Sequence, residues 1–199
     1  MKINIILSKY KNIIGINNDL VCKIKDDMEH FKSITMNTDD KKNVVIMGYN
    51  TWISIPIKFR PLVNRINIVL SKNNKDKIND ENVLIFSDIK ELFVWLFYNK
   101  NLFNKIFVIG GEKIYNEIFK NYSSFIKTIY ITDIDSDISY DNCDNLSFFN
   151  YDLKKYISTS IDLKTSVSKI YSPEKKEYIE KELQYRFNKY RKINNSDEY

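Results

Sequence analysis

Apolar residues along this chain gather into short continuous blocks closed by glycine, asparagine or a charged residue. Such blocks are how strands covered on both faces read. Ile3–Ser8 (INIILS), Val44–Gly48 (VVIMG), Ile66–Ser71 (INIVLS), Val83–Phe86 (VLIF), Lys105–Gly110 (KIFVIG) and Thr128–Ile134 (TIYITDI) therefore predict strands. Between them the spacing lengthens to three and four. Ile24, Met28, Phe31 and Ile34 share one helical face in KIKDDMEHFKSIT. A second helix, capped by Ser87 or Asp88, runs through Ile89, Leu92, Phe93, Leu96 and Phe97, with Trp95 and Phe97 read as core or rim packing. A third, GEKIYNEIF, puts Ile114, Ile118 and Phe119 inward. Near the end, LKKYIST and the alternating Leu183, Tyr185 and Phe187 predict a closing antiparallel pair, while KEYIEKEL fits a helix equally well.

The connections carry information too. Lys9 to Lys23 is polar and turn-rich, with Gly15 and Asn17-Asn18-Asp19, and a loop of that length in a compact domain is usually functional. Residues 37–42 and 72–82 read as solvated loops, and 193–199 as a polar tail or linker after a domain of 1–192. Asp27 falls inside the apolar stripe of the first helix, one turn before Phe31. It reads either as a first-turn acid serving the helix dipole or cap, or as a buried carboxyl whose pKa is raised so that it handles a proton near neutrality. A glycine pair, Gly110-Gly111, sits at a strand-to-helix switch, where free helix N–H groups cradle phosphate oxygens.

Composition narrows the classes. At 199 residues and 43% hydrophobic content, one core and one domain are expected. The net charge of +5 is scattered among acids along the chain, which argues against a nucleic-acid surface. Two cysteines without ligand spacing and one histidine leave no metal site. No apolar run reaches membrane-spanning length and the apolar segment before Lys9 is too short for a signal peptide, so a soluble cytoplasmic protein is expected, with no membrane partner. Alanine is absent, so isoleucine or leucine can stand where a smaller residue ordinarily sits.

The stretch V-I-M-G-x-x-T-W-x-S-I-P followed by R-P-L-x-x-R-x-N-I-V-L-S (45–71), with I-G-G-x-x-x-Y at 109–115 and I-T-x-I at 131–134, resembles the signatures of dihydrofolate reductase. The resemblance implies an α/β fold with a central, mostly parallel sheet, an antiparallel C-terminal strand and flanking helices. It implies reduction of dihydrofolate by NADPH, with Asp27 promoting protonation at N5 of the pterin. Thr132 would hold Asp27 or a ring-bound water, unless it is an ordinary β-branched strand residue. Arg65 would grip the α-carboxylate of the folate glutamate and Lys32 the other carboxylate. Met28, Phe31, Ile55 and Leu62 would line the pteridine and benzoyl pocket, Leu20 and Tyr115 would join them, and Ile5 and Ile109 would offer backbone carbonyls. On the cofactor side the resemblance implies Leu7, Ile14, Gly15 and Asn18 around the nicotinamide. Gly48, Tyr49, Asn50 and Thr51 would face the pyrophosphate, and Leu70, Ser71 and Lys72 the adenosine end. Gly110, Gly111, Glu112, Lys113 and Ile114 would complete the cradle. Gly110-Gly111 and Arg60-Pro61 are expected to be cis.

Four positions depart from the family pattern. Val21-Cys22 replaces Pro-Trp, Leu7 replaces an alanine and would crowd the nicotinamide, and Tyr49 and Ser87 replace basic residues. Lys72 and Lys113 are then the remaining cations for a 2′-phosphate. Two other readings stay open: a degraded reductase domain serving as a binding scaffold, and a riboflavin-pathway reductase of the same fold, which would not need both Asp27 and Arg65. The ending NNSDEY resembles the junction where this reductase is fused ahead of a thymidylate synthase, implying a fused or associated synthase as partner.

Overall fold

The computed structural model describes residues 1–37, 40–78, 80–161 and 163–193. In chain order the elements are β1 (Ile3–Tyr10), β2 (Ile13–Ile16), β3 (Cys22–Lys23), α1 (Lys25–Thr35), β4 (Asn43–Gly48), α2 (Tyr49–Ser54), β5 (Arg65–Leu70) and β6 (Val83–Phe86). There follow α3 (Ile89–Tyr98), β7 (Ile106–Val108), α4 (Glu112–Asn121), β8 (Ile126–Asp135), β9 (Leu146–Phe148), β10 (Tyr156–Ser160), β11 (Lys164–Ser172) and β12 (Glu177–Lys192). Six strands run parallel in the order β8-β1-β7-β4-β5-β6. Parallel neighbours need long crossovers, and the helices supply them. The chain is a mixed α/β fold with a twelve-stranded sheet flanked by helices.

Strand alternation divides the core into two layers, one on each face of the sheet. Ile3, Ile5 and Leu7 of β1, with Val44, Ile46, Val108, Ile129 and Ile131, pack against Leu92 and Leu96 of α3 and Tyr115 and Ile118 of α4. On the opposite face Ile6, Val45, Met47, Val69 and Phe107 meet Trp52 of α2 and Phe31 and Ile34 of α1. This double cover explains why these strands are mostly apolar, and the buried exceptions Asn4, Asn43 and Asn67 are satisfied by backbone partners. A third cluster joins Val21, Cys22 and Ile24 to Ile170, Leu183, Tyr185 and Phe187 of the C-terminal hairpin.

Several details differ from the sequence reading. KEYIEKEL is strand, because β11 and β12 pair along their length and set Glu180 opposite Lys169, a cross-strand match that outweighs helix propensity. β12 continues antiparallel along β8, as the alternation of Leu183, Tyr185 and Phe187 predicts. The polar stretch 9–23 is not wholly loop: β2 pairs with β1 and β9, and β3 pairs with β11. On α1 the buried residues are Asp27 and Thr35, whereas Met28 is 43% exposed. Phe97 is exposed and Asp88, not Ser87, caps α3 by accepting from the Glu91 N–H. Residues 194–199, most of the predicted tail, lie outside the described residues.

Candidate active site

Only two charged side chains are buried among the described residues, Asp27 and Arg65. Asp27 lies in the first turn of α1 but makes no cap; its carboxylate turns to the sheet, where Thr132 Oγ1 donates to Oδ1 at 2.5 Å. That excludes the capping reading. Burial pushes the Asp27 carboxyl up to about 6, against the opposing pull of the Thr132 and Ser8 hydroxyls. Asp26, one residue earlier, points outward to Tyr185 Oη and Lys164 Nζ, and those partners hold its pKa below the usual carboxylate range. Two adjacent carboxyls thus have opposite tendencies, and the buried one suits proton handling near neutral pH.

Arg65 opens β5, and burial lowers its guanidinium to about 10, so it stays charged at neutral pH. Its Nη1 donates to Thr35 Oγ1 at 2.8 Å, its Nε donates to the Val63 carbonyl at 3.1 Å, and its plane lies 5.7 Å from the Phe31 ring. No carboxylate lies within ion-pair distance of it among the described residues. A buried fork of this kind is suited to a planar anion from outside. Phe31, Ile55, Leu62 and Ile109, all half-buried, pack on the same sheet face to which strand alternation turns Thr132, the partner of Asp27, and Arg65. Lys32 is exposed and also lines an open groove of about 680 Å³ with Ile34, Lys105, Phe107 and Tyr130.

The glycine turn lies between β7 and α4. Gly110-Gly111 is cis, as is Arg60-Pro61, and Gly110 has φ +122°, a conformation that L side chains rarely adopt. A Cβ on Gly111 would stand 3.2 Å from Thr51 Oγ1, and one on Gly110 would meet Thr51 Oγ1 and the Tyr115 hydroxyl at 3.4 Å. Gly48 N–H donates to the Gly110 carbonyl at 2.8 Å, which ties the two strand ends together. The Ile114 and Tyr115 N–H groups of α4 donate to the Gly111 carbonyl at 3.0 and 3.1 Å, the Glu112 and Lys113 N–H groups precede that first helical bond, and the Lys113 side chain is exposed beside them. Space without side chains, free amides and nearby cations fit a dinucleotide pyrophosphate.

The family described as dihydrofolate reductase matches residues 2–190. The chain belongs to the dihydrofolate reductase family. It is 37% identical over 127 residues to a dihydrofolate reductase of Candida albicans, covering 61% of this chain and 62% of that protein. It is 37% identical over 112 residues to the Saccharomyces cerevisiae dihydrofolate reductase, 53% of each. It is 39% identical over 134 residues to a bifunctional dihydrofolate reductase-thymidylate synthase of Zea mays, covering 64% of this chain but 25% of that protein. The matched part is thus less than two thirds of each of these relatives.

Within the reductase fold, the remaining predicted residues fall into place unevenly. Leu7 does not point at the cleft: its side chain packs with Ile5, Ile131 and Tyr115 on the α3–α4 face, opposite Asp27. Leu7 and Ile5 are thus core side chains, at 8% and 0% exposure. The Tyr115 ring is also core, while its hydroxyl donates to the Ile6 carbonyl at 3.0 Å. Gly15 and Ile14 lie on β2, Asn18 Oδ1 accepts from Asn50 of α2 at 3.2 Å, and Asp19 Oδ1 accepts from the Leu20 N–H at 2.8 Å. Leu70 is core, Ser71 Oγ accepts from the Asn74 N–H, and Lys72 lies near Asp88. Tyr49, Glu112 and Ile114 are half-buried beside the turn. Three contributors escaped the sequence reading. Thr35 holds Arg65, Tyr178 Oη donates to the Leu20 carbonyl, and Ser8 neighbours Asp27. Only Ser8 carried a signal, as a lone hydroxyl closing an apolar run.

Proposed function

We propose that the chain reduces 7,8-dihydrofolate to tetrahydrofolate with NADPH as the reductant. The observation that carries this is a pair of buried charges with no counter-ion among the described residues, a carboxyl and a guanidinium turned to the sheet face that carries Phe31, Ile55 and Leu62. A folate offers the complement: a pterin edge rich in N–H donors, a flat benzoyl middle and a glutamate carboxylate. NADPH, when bound along Gly110-Gly111, supplies the hydride that is delivered to C6.

The chain's own residues do the rest. Asp27, held by Thr132, accepts from the pterin ring and favours a proton at N5, most directly through a water. Arg65 fixes the tail, so ring and reductant meet in one orientation. Asn18, Asn50 and Leu20 tie the first loop to α2 and the C-terminal hairpin over the cleft. Lys72 and Lys113 favour a 2′-phosphate, and hence NADPH over NADH. Residues 1–192 form the reductase domain on this reading, in a cytoplasmic setting. A fused or associated thymidylate synthase belongs to the same proposal, since the maize relative joins the two activities by name.

The test is the loss of NADPH absorbance on adding dihydrofolate, run beside NADH and beside Asp27→Asn. Dihydrofolate-dependent oxidation that collapses in the variant is the expected result. Folded protein that oxidises no NADPH, or an Asp27→Asn variant as fast as the native chain, overturns the reading.

A further inference from the structure

β1 and β8 run parallel and in register from Asn4 opposite Thr128 to Tyr10 opposite Ile134, and this pairing sets Ser8 opposite Thr132. In-register neighbours on adjacent strands point to the same face, about 4.8 Å apart. Thr132 already touches Asp27 at 2.5 Å, so the Ser8 hydroxyl starts within reach of the same carboxylate. Among the described residues no hydrogen bond engages the Ser8 hydroxyl, which leaves it free to turn to the carboxylate. Catalytic hydrogen bonds are often long before substrate arrives and tighten in the complex.

The carboxylate has a vacancy for it. An ionised carboxylate offers about four lone-pair sites, and a buried one with a single donor is poorly compensated for lost water. The other groups facing Asp27 do not fill this role. Cys22, on β3, is buried and its thiol is pushed up to about 12, so it faces Asp27 as a neutral group and a weak donor. Asp26 of α1 is turned away to Tyr185 and Lys164, and Lys9 and Asp133, the next residues on β1 and β8, pair with each other at 2.5 Å. Ser8 is half-buried, so it has room to rotate.

We propose that Ser8 is a positioning residue for Asp27, its hydroxyl supplying the second protein donor that, with Thr132, aims the carboxylate at the bound ring. This rests on the role given to Asp27 above. A donor to the ionised form favours that form, so its removal raises the carboxyl's pKa. Because the reaction takes up a proton, the limb of the rate profile that falls with rising pH should move upward with it.

The experiment compares native, Ser8→Ala and Ser8→Thr proteins by carbon-13 carboxyl NMR of Asp27, assigned by its loss in Asp27→Asn, and by the pH dependence of NADPH oxidation. Ser8→Ala is expected to raise the Asp27 midpoint by roughly 0.5–1 unit and to shift the falling limb equally, with Ser8→Thr restoring both. A packing defect alone would lower the rate without moving either midpoint. A folded Ser8→Ala whose Asp27 midpoint is unchanged, or a Ser8→Thr displaced as far as Ser8→Ala, overturns the proposal. Should Ser8→Ala fail to fold, Ser8→Cys, near in size and a weak donor, takes its place with the same two readouts. An Asp27→Asn variant that keeps full activity would instead defeat the catalytic reading, and the NMR midpoints would still decide whether Ser8 acts on Asp27.

Discussion

Replacing Asp27 with asparagine should remove activity and stabilise the fold at once, because the carboxylate is held where water would otherwise solvate it. Burial lifts its pKa from 3.8 to about 6. The native state therefore binds this proton more tightly than the unfolded chain does. Its contribution is most favourable below the unfolded value and is lost as pH climbs through the folded one. At 1.36 kcal/mol per unit, the full penalty above both values is roughly 3 kcal/mol. Asparagine carries no charge and keeps an amide oxygen for Thr132, although its NH2 group needs an acceptor, for which Ser8 Oγ is the adjacent candidate. The net gain should be about 1–3 kcal/mol near pH 8 and should shrink to about 0.5 kcal/mol near pH 4, where the native carboxyl is already protonated when folded. Urea unfolding at the two pH values measures it, read as midpoint at constant slope. No gain at the higher pH, or the same gain at both, would refute the argument that a buried charge is being carried for function.

Arg65→Leu removes an uncompensated buried cation, so stability should hold or rise, while KM for dihydrofolate should climb about 10–100-fold with a smaller change in kcat; steady-state kinetics beside urea unfolding separates the two. Gly110→Ala forces a Cβ onto a φ of +122° and against Thr51 and Tyr115, so a loss of about 1–3 kcal/mol and weakened NADPH binding are expected, read by thermal unfolding and fluorescence titration. Tyr178→Phe frees the Leu20 carbonyl from the C-terminal hairpin and should raise KM for NADPH about 3–10-fold, with global stability nearly unchanged in urea. An unaltered KM there would show that the loop is held by its β3–β11 pairing alone.

The strands of the parallel sheet were legible because burial on both faces favours continuous apolar blocks, as in VVIMG, INIVLS and KIFVIG. The glycine pair and Asp27 stood out by residue type and spacing, and Arg65 only through the family resemblance. What the linear pattern could not decide was direction. Ile24, Met28, Phe31 and Ile34 mark an apolar stripe that holds Asp27, which is buried as that placement implies, but Met28 is exposed and Thr35 is buried instead, because Arg65, which Thr35 holds, lies 30 residues away. Leu7 looked like an obstruction in the cleft and turned out to be core, since a one-residue step along a strand reverses the face. KEYIEKEL has the composition of a helix and became strand once β11 lay beside it. The reach of Ser8 to Asp27 depends on the register of β1 against β8. Local composition determined which elements form and which residues were chemically equipped. Long-range pairing decided which face each residue occupies, because burial and hydrogen-bond satisfaction are settled by neighbours that the chain brings together only when folded.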